Sequence, residues 1–208
     1  MKFDSIILDI DGTIWNTTQI VAESWNKAIK NNFPSISLVN AKILQTQFGK
    51  PMSEIADSLF PELNQSQKDF LMEECCKIEQ KDLSKNTKNL TYDGVIETIK
   101  NLSKKIPIFI VSNCQKGYIE VVKEKNHLEN FIKDSECFGN NGNSKAENIS
   151  LIIKRNNLKN TVYVGDTQGD ADACQKIKIP FIWASYGFGN PKSYDYKIET
   201  FSDLETFF

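Results

Sequence analysis

Ser5-Ile6-Ile7-Leu8-Asp9-Ile10-Asp11-Gly12-Thr13 is the stretch whose reading decides the fold. Ser5 to Leu8 form a short apolar run that leads straight into a carboxylate, the pattern of a strand buried on both faces of a parallel sheet. The pattern recurs at Ile108 to Val111 before Ser112 and Asn113, and at Val162 to Val164 before Gly165 and Asp166. A fourth run, Phe181 to Ala184, follows Pro180. Helical spacing appears between the later runs, at Val95, Ile99 and Leu102, at Ile149, Ile152 and Ile153, and at Ala171, Cys174 and Ile177. Strand alternating with helix predicts an α/β protein built on a Rossmann-like, doubly wound parallel sheet. Ligands of such sheets bind beyond the carboxyl ends of the strands, which selects Asp9, Ser112 and Asp166 as residues that should converge.

From Asn16 to Asn89 the character changes. Short buried strands are missing, and amphipathic helical patterns replace them: Ile20, Trp25, Ala28 and Ile29, then Pro51 to Phe60, then Gln65 to about Lys81. We therefore expect an α/β core domain from residues 1–15 and 90–208, with an α-helical domain inserted at 16–89. The polar run Ser84 to Thr91 reads as a hinge or linker.

The bulk numbers exclude several classes. The chain has 208 residues, 40% of them hydrophobic and 25% charged, which argues for a globule rather than disorder. With 25 Lys and Arg against 27 Asp and Glu, the net charge of -2 offers no field for a polyanion, so nucleic acid is not expected as a partner. No apolar stretch approaches the roughly 20 residues that cross a bilayer. The opening Met1-Lys2-Phe3-Asp4 and its brief apolar sequel are too short and too acidic for a secretory signal, so a cytoplasmic protein without a membrane partner is expected. Cys75, Cys76, Cys114, Cys137 and Cys174 form no C-x-x-C pair and are expected to be reduced and mostly buried. His127, the one histidine, reads as ordinary surface, which leaves a serine-type triad without its base. Composition leaves the oligomeric state open.

Asp9 and Asp11, one residue apart at a strand end, are two carboxylates suited to different work. One can attack phosphorus as a covalent nucleophile, and the other can act as acid and base. Gly12 permits a tight turn, and Thr13 supplies a hydroxyl. A second strand end delivers Asp166, with Asp170 four positions on. Carboxylates about 4 Å apart repel by roughly 4 kcal/mol at an effective dielectric near 20, so a cation is expected among them. All-oxygen ligands favour Mg²⁺. Ser112 and Asn113 could hold phosphate oxygens, and Lys145 could neutralise them. Trp25, Trp183, Tyr186 and Phe188 are expected to serve packing, although Tyr186 to Asn190 (YGFGN) follows the fourth strand and could face the site.

With these residues in order, the sequence resembles the haloacid dehalogenase-like hydrolases, in the phosphoglycolate phosphatase-like branch with a helical cap. Ile7 to Ile14 looks like the first signature, Ile110 to Asn113 the second, Lys145 the third, and Gly165-Asp166 with Asp170 the fourth. The resemblance implies a Mg²⁺-dependent phosphatase acting on a small phosphorylated metabolite through an aspartyl-phosphate. It implies Asp9 as nucleophile, Asp11 as acid and base, and Thr13, Ser112, Asn113 and Lys145 on the phosphoryl group. Metal would be held by Asp9, the Asp11 carbonyl and Asp166, adjusted by Asp170, and the cap would close over substrate. Gly49 and Lys50, in Phe48-Gly49-Lys50-Pro51, match a cap substrate loop. Asn16 stands where relatives carry an acid, and Ala146 where proline is frequent.

Two other readings compete. A β-phosphoglucomutase-like sugar-phosphate mutase would want a cap histidine, and here the histidine lies elsewhere. A non-catalytic binding or regulatory module would not need all four motifs chemically competent.

Overall fold

The computed structural model describes residues 3–208; Met1 and Lys2, part of the argument against a secretory signal, lie outside them. Six strands form one parallel sheet: β1 (Ser5–Leu8), β2 (Ile108–Ser112), β3 (Ile132–Cys137), β4 (Thr161–Gly165), β5 (Phe181–Ala184) and β6 (Tyr196–Ile198). Their order is β3-β2-β1-β4-β5-β6. The helices in chain order are α1 (Thr18–Asn32), α2 (Ala41–Gln45), α3 (Met52–Leu59), α4 (Gln65–Lys85), α5 (Val95–Ser103), α6 (Tyr118–Asn126), α7 (Phe138–Asn141), α8 (Lys145–Arg155) and α9 (Gln168–Ile177). The chain divides into two compact units, one of Met1–Asn16 with Leu90–Phe208, the other of Thr17–Asn89. No described helix is long and apolar enough to cross a membrane.

In the first unit every residue of β1, β2 and β4 is buried, as the unbroken apolar runs require. Ile7, Phe109, Val111, Tyr163 and Phe181 pack with Ile149 and Ile152 of α8 and Ala171 and Cys174 of α9. Strand alternation sends Ile6, Leu8, Ile108, Ile110, Val162 and Val164 to the opposite face. Leu8 is level with Ile110 on one side and Val164 on the other, so β1, β2 and β4 end together. The chain builds outward from β1 through β2 to β3, then returns to lay β4 on the other side of β1, which puts the topological switch point between β1 and β4.

Two strands escape the search for apolar runs. β3 reads Ile-Lys-Asp-Ser-Glu-Cys, and its polar middle belongs to an edge strand, where side chains meet solvent and Arg155 pairs with Asp134 and Glu136. β6 closes the other edge with three residues.

The second unit is helical, around Trp25, Ile29, Leu44, Ile55, Phe60, Leu71 and Cys75. Its last helix runs to Lys85, so Ser84 and Lys85 belong to α4 rather than to a linker. The last turn is hidden in sequence because Ser84 opens a polar run, while Glu79 sits in the apolar stripe between buried Cys75 and buried Leu83. Trp25 Nε1 donates to its carboxylate at 2.6 Å. The five-residue α2 is too short to show a period.

The five cysteines are free thiols, all but Cys76 buried. His127 is exposed, in the left-handed conformation that caps α6.

Candidate active site

Asp9 follows β1 directly and keeps the strand register, its N–H donating to the Val164 carbonyl at 2.9 Å. The residue is 1% exposed. On the next strand the chain leaves β4 through Gly165 into Asp166, which is fully buried. Asp170 lies in the first turn of α9, where it forms a capping box with Thr167. One carboxylate oxygen from each of Asp9, Asp166 and Asp170 lies within 4.8 Å of the others.

Lys145 is what makes the cluster tolerable. It is the first residue of α8, capped by Ser144 and Glu147, and an ammonium at a helix N-terminus opposes the helix dipole. Here it is drawn inward, 5% exposed, to donate to Asp9 Oδ1 at 3.0 Å and to Asp170 Oδ1. Burial pulls the ammonium's pKa down, but Asp170 and Asp9 outweigh that and hold it above its ordinary value. Burial pushes the Asp9 carboxyl up to about 6, with Lys145 lowering it and Asp170 raising it. Asp166, furthest from this relief, is raised well above the usual carboxylate range by burial and then by Asp170 and Asp9.

Asp166 carries a second sign of unmet charge. Its Oδ2 accepts from Phe188 N at 2.6 Å, whereas its Oδ1 is buried without a hydrogen-bond partner. Three buried carboxylates face one ammonium, and one oxygen is orphaned. Those residues fit a hard divalent cation, which would supply both the missing charge and the missing partner. Asp170 is the member least available to such an ion, because its Oδ2 already accepts from Asp166 N, Thr167 N and Thr167 Oγ1.

Glycines close the cradle. A Cβ on Gly12, whose φ is +82°, would fall 2.2 Å from Asp166 Oδ2. One on Gly187 would fall 2.3 Å from Asp166 Cβ and 2.5 Å from the Gly12 carbonyl. The Tyr186–Asn190 segment thus wraps Asp166 with its backbone, and Tyr186 Oη donates to the Thr13 carbonyl at 2.9 Å. Sequence reasoning allowed this segment to face the site but assigned Phe188 to packing and did not name Gly187, whereas the Phe188 N–H donates to Asp166. The closely spaced glycines after a buried strand were the available signal.

The remaining candidates fall in distinct places. Ser112 ends β2 beside β1 and is 5% exposed, with Asn113 next in chain. Thr13 is fully buried, its hydroxyl without a hydrogen-bond partner. Asp11 stands outside the three-carboxylate cluster: its Oδ1 accepts from Tyr118 Oη at 2.7 Å and from Trp15 Nε1 at 3.1 Å. Nothing in the sequence flagged Trp15 or Tyr118, since an aromatic beside a motif looks like any core residue. Gly49 and Lys50 belong to the second unit, where Gly49 takes a φ of +90° and Lys50 Nζ donates to Gln47 Oε1 at 3.0 Å.

Fold and site together define a doubly wound α/β protein with a lysine-bridged carboxylate cluster at its switch point. The family model for haloacid dehalogenase-like hydrolases matches residues 6–184, and the chain belongs to that family. Its structure is similar to that of a predicted phosphoglycolate phosphatase from Haemophilus somnus 129pt, with a TM-score of 0.83, 18% identity and coverage of 99% of this chain and 98% of that one. It is also similar to a haloacid dehalogenase-like family hydrolase from Streptococcus pneumoniae (TM-score 0.83, 16% identity, 99% and 98% covered). A predicted phosphatase from Clostridium acetobutylicum gives a TM-score of 0.80 at 16% identity, with the same coverage. At these identities the likenesses establish the fold. No curated protein matches the sequence.

Proposed function

We propose that the protein is a Mg²⁺-dependent phosphatase that hydrolyses a small phosphorylated metabolite through a phosphoaspartate on Asp9. The observation that carries this reading is the buried Asp9 carboxylate, held by Lys145 next to an Asp166 oxygen that has no protein partner. A nucleophile needs a fixed orientation, and a trianionic cluster needs a cation. The site supports both.

An Asp9 oxygen attacks phosphorus and forms the P–O bond of an acyl phosphate as the ester oxygen departs. Asp11 gives that oxygen its proton. Asp11 then takes a proton from the water that attacks the phosphoaspartate, and the P–O bond to Asp9 breaks to release phosphate and restore the carboxylate. Lys145 stays on Asp9 and screens the incoming phosphoryl charge, while Ser112, Asn113 and Thr13 are assigned to its oxygens. Asp9 and Asp166, with the Asp11 carbonyl, would hold Mg²⁺, which when bound neutralises phosphoryl charge. Asp170 keeps Lys145 in place. Gly49 and Lys50 are assigned to substrate selection. The structural relatives described as predicted phosphoglycolate phosphatases make a small phosphorylated acid the first substrate to try.

The test is release of inorganic phosphate from p-nitrophenyl phosphate with Mg²⁺. Asp9→Asn keeps the volume and is expected to lower kcat by about 10³-fold or more, with thermal unfolding showing an intact fold. Turnover that survives this substitution would remove Asp9 as nucleophile. A mutase would instead isomerise a hexose 1-phosphate without net phosphate release.

A further inference from the structure

We propose that Tyr186 is a positioning residue for the cation: it anchors the loop whose Phe188 N–H orients the Asp166 carboxylate, and thereby sharpens the preference for Mg²⁺ over a larger ion such as Ca²⁺. This rests on Asp9 and Asp166 holding the ion as proposed above.

A carboxylate turns easily about its Cβ–Cγ bond, a broad torsion, unless a neighbour holds one of its oxygens. At Asp166 the neighbour is the backbone of the loop after β5. Oδ2 accepts from Phe188 N at 2.6 Å, whereas Oδ1 is buried and has no hydrogen-bond partner among the described residues. The held oxygen thus sets the direction in which the other is offered.

A backbone donor orients a carboxylate only as firmly as its own loop is held. β4 lies between β5 and β1 in the sheet, so the loops that follow β5 and β1 are not joined by strand pairing. Tyr186 crosses that gap, its Oη donating to the Thr13 carbonyl at 2.9 Å. The receiving loop is itself fixed, because the Ile10 carbonyl accepts from the N–H groups of Thr13, Ile14 and Trp15. Tyr92 N donates to the Ile14 carbonyl of the same loop, and the Tyr92 ring lies against Tyr186 with centroids 4.8 Å apart. Beyond the anchor, Gly187 N donates to the Ala184 carbonyl at 3.1 Å, and a Cβ on Gly189 would fall 2.5 Å from the Asp166 carbonyl. The loop therefore lies directly on Asp166, with its donor at Phe188 close in chain to the anchoring hydroxyl.

Mg²⁺ demands near-octahedral oxygen geometry at short range, while Ca²⁺ accepts more oxygens in looser arrangements. A carboxylate held by a fixed N–H favours the smaller ion, and one free to tilt favours it less. Cutting the bond from Tyr186 to Thr13 should therefore weaken Mg²⁺ more than Ca²⁺.

The experiment is calorimetric titration of the metal-stripped protein with Mg²⁺ and, separately, with Ca²⁺. Tyr186→Phe deletes the hydroxyl and keeps the ring. It is expected to weaken Mg²⁺ binding by about tenfold, the effect of one lost buried hydrogen bond, and Ca²⁺ binding by less than about threefold. A hydroxyl that served structure alone would lower the melting temperature and leave the ratio of the two affinities unchanged. Amide hydrogen exchange tests the parent itself: without metal, its Phe188 N–H should exchange at least about a hundredfold more slowly than an unstructured amide. An unprotected Phe188 amide, or affinities that fall equally for both ions or stay unchanged in Tyr186→Phe, overturns the positioning role and leaves the cation site standing. A parent that does not bind Mg²⁺ overturns the Mg²⁺-dependent reading, and this inference with it.

Discussion

Gly187 shows how tightly the site is drawn at the level of single atoms. It carries no reactive group, yet the space that a Cβ would need is taken by Asp166 and by the Gly12 carbonyl, the latter backbone and unable to step aside. Gly187→Ala is expected to destabilise the fold by about 1–3 kcal/mol, the usual cost of overpacking, as read from the urea midpoint. The same variant should lose Mg²⁺-dependent stabilisation, because relief of the clash displaces the carboxylate proposed to hold the ion. Lys145 makes the complementary point. Its environment is invisible in a string of letters, where a lysine at a helix start looks solvated, and becomes evident only when Asp9 and Asp170 are found around its ammonium.

Among the elements, β3 and α8 are joined by a surface network that the sequence conceals. Arg155 at the end of α8 grips Asp134 of β3 with both Nε and Nη2 at 2.7 Å. Burial raises the Asp134 carboxyl, but bonds from Asn156, Arg155 and Ser135 N outweigh it and leave the group below the usual carboxylate range. A carboxyl lowered in the folded state contributes stability that is whole above its unfolded pKa of about 3.9 and fades as pH falls through the lower folded value. Because Arg155 is more than a third exposed, solvent screening limits the contribution to about 1 kcal/mol. Asp134→Asn should therefore cost about that much at pH 7 and progressively less as acid protonates the Asp134 carboxyl in the folded state, measured by urea denaturation from neutral to acid pH.

At the scale of the whole molecule, a cation held by the acidic cluster would couple its binding to stability. An ion that binds only the folded chain stabilises it by mass action, about 2.7 kcal/mol at a hundred times its dissociation constant. Thermal unfolding of the metal-stripped protein should thus shift upward on adding Mg²⁺ and fall back with a chelator. Asp166→Asn should abolish that shift and, by removing one of three mutually repelling carboxylates, leave the metal-free protein at least as stable as the parent. A parent whose melting ignores Mg²⁺ would contradict the proposed cation site.

Taken by itself, the sequence determined the parallel sheet and the strand ends that matter, because strands buried on both faces must be continuously apolar and their polar terminators stand out. It placed Asp9, Ser112 and Asp166 at such ends, found Asp170 four positions beyond Asp166, and singled out Lys145 through the family pattern. It missed β3 and β6, whose exposed edges relax that requirement, and it ended α4 early because the polar run from Ser84 reads as a linker. Only the tertiary structure decided which polar atoms are satisfied. The orphaned oxygen of Asp166, the two donors on Asp11 and the lysine between Asp9 and Asp170 all depend on contacts between residues remote in sequence, where local periodicity carries no information.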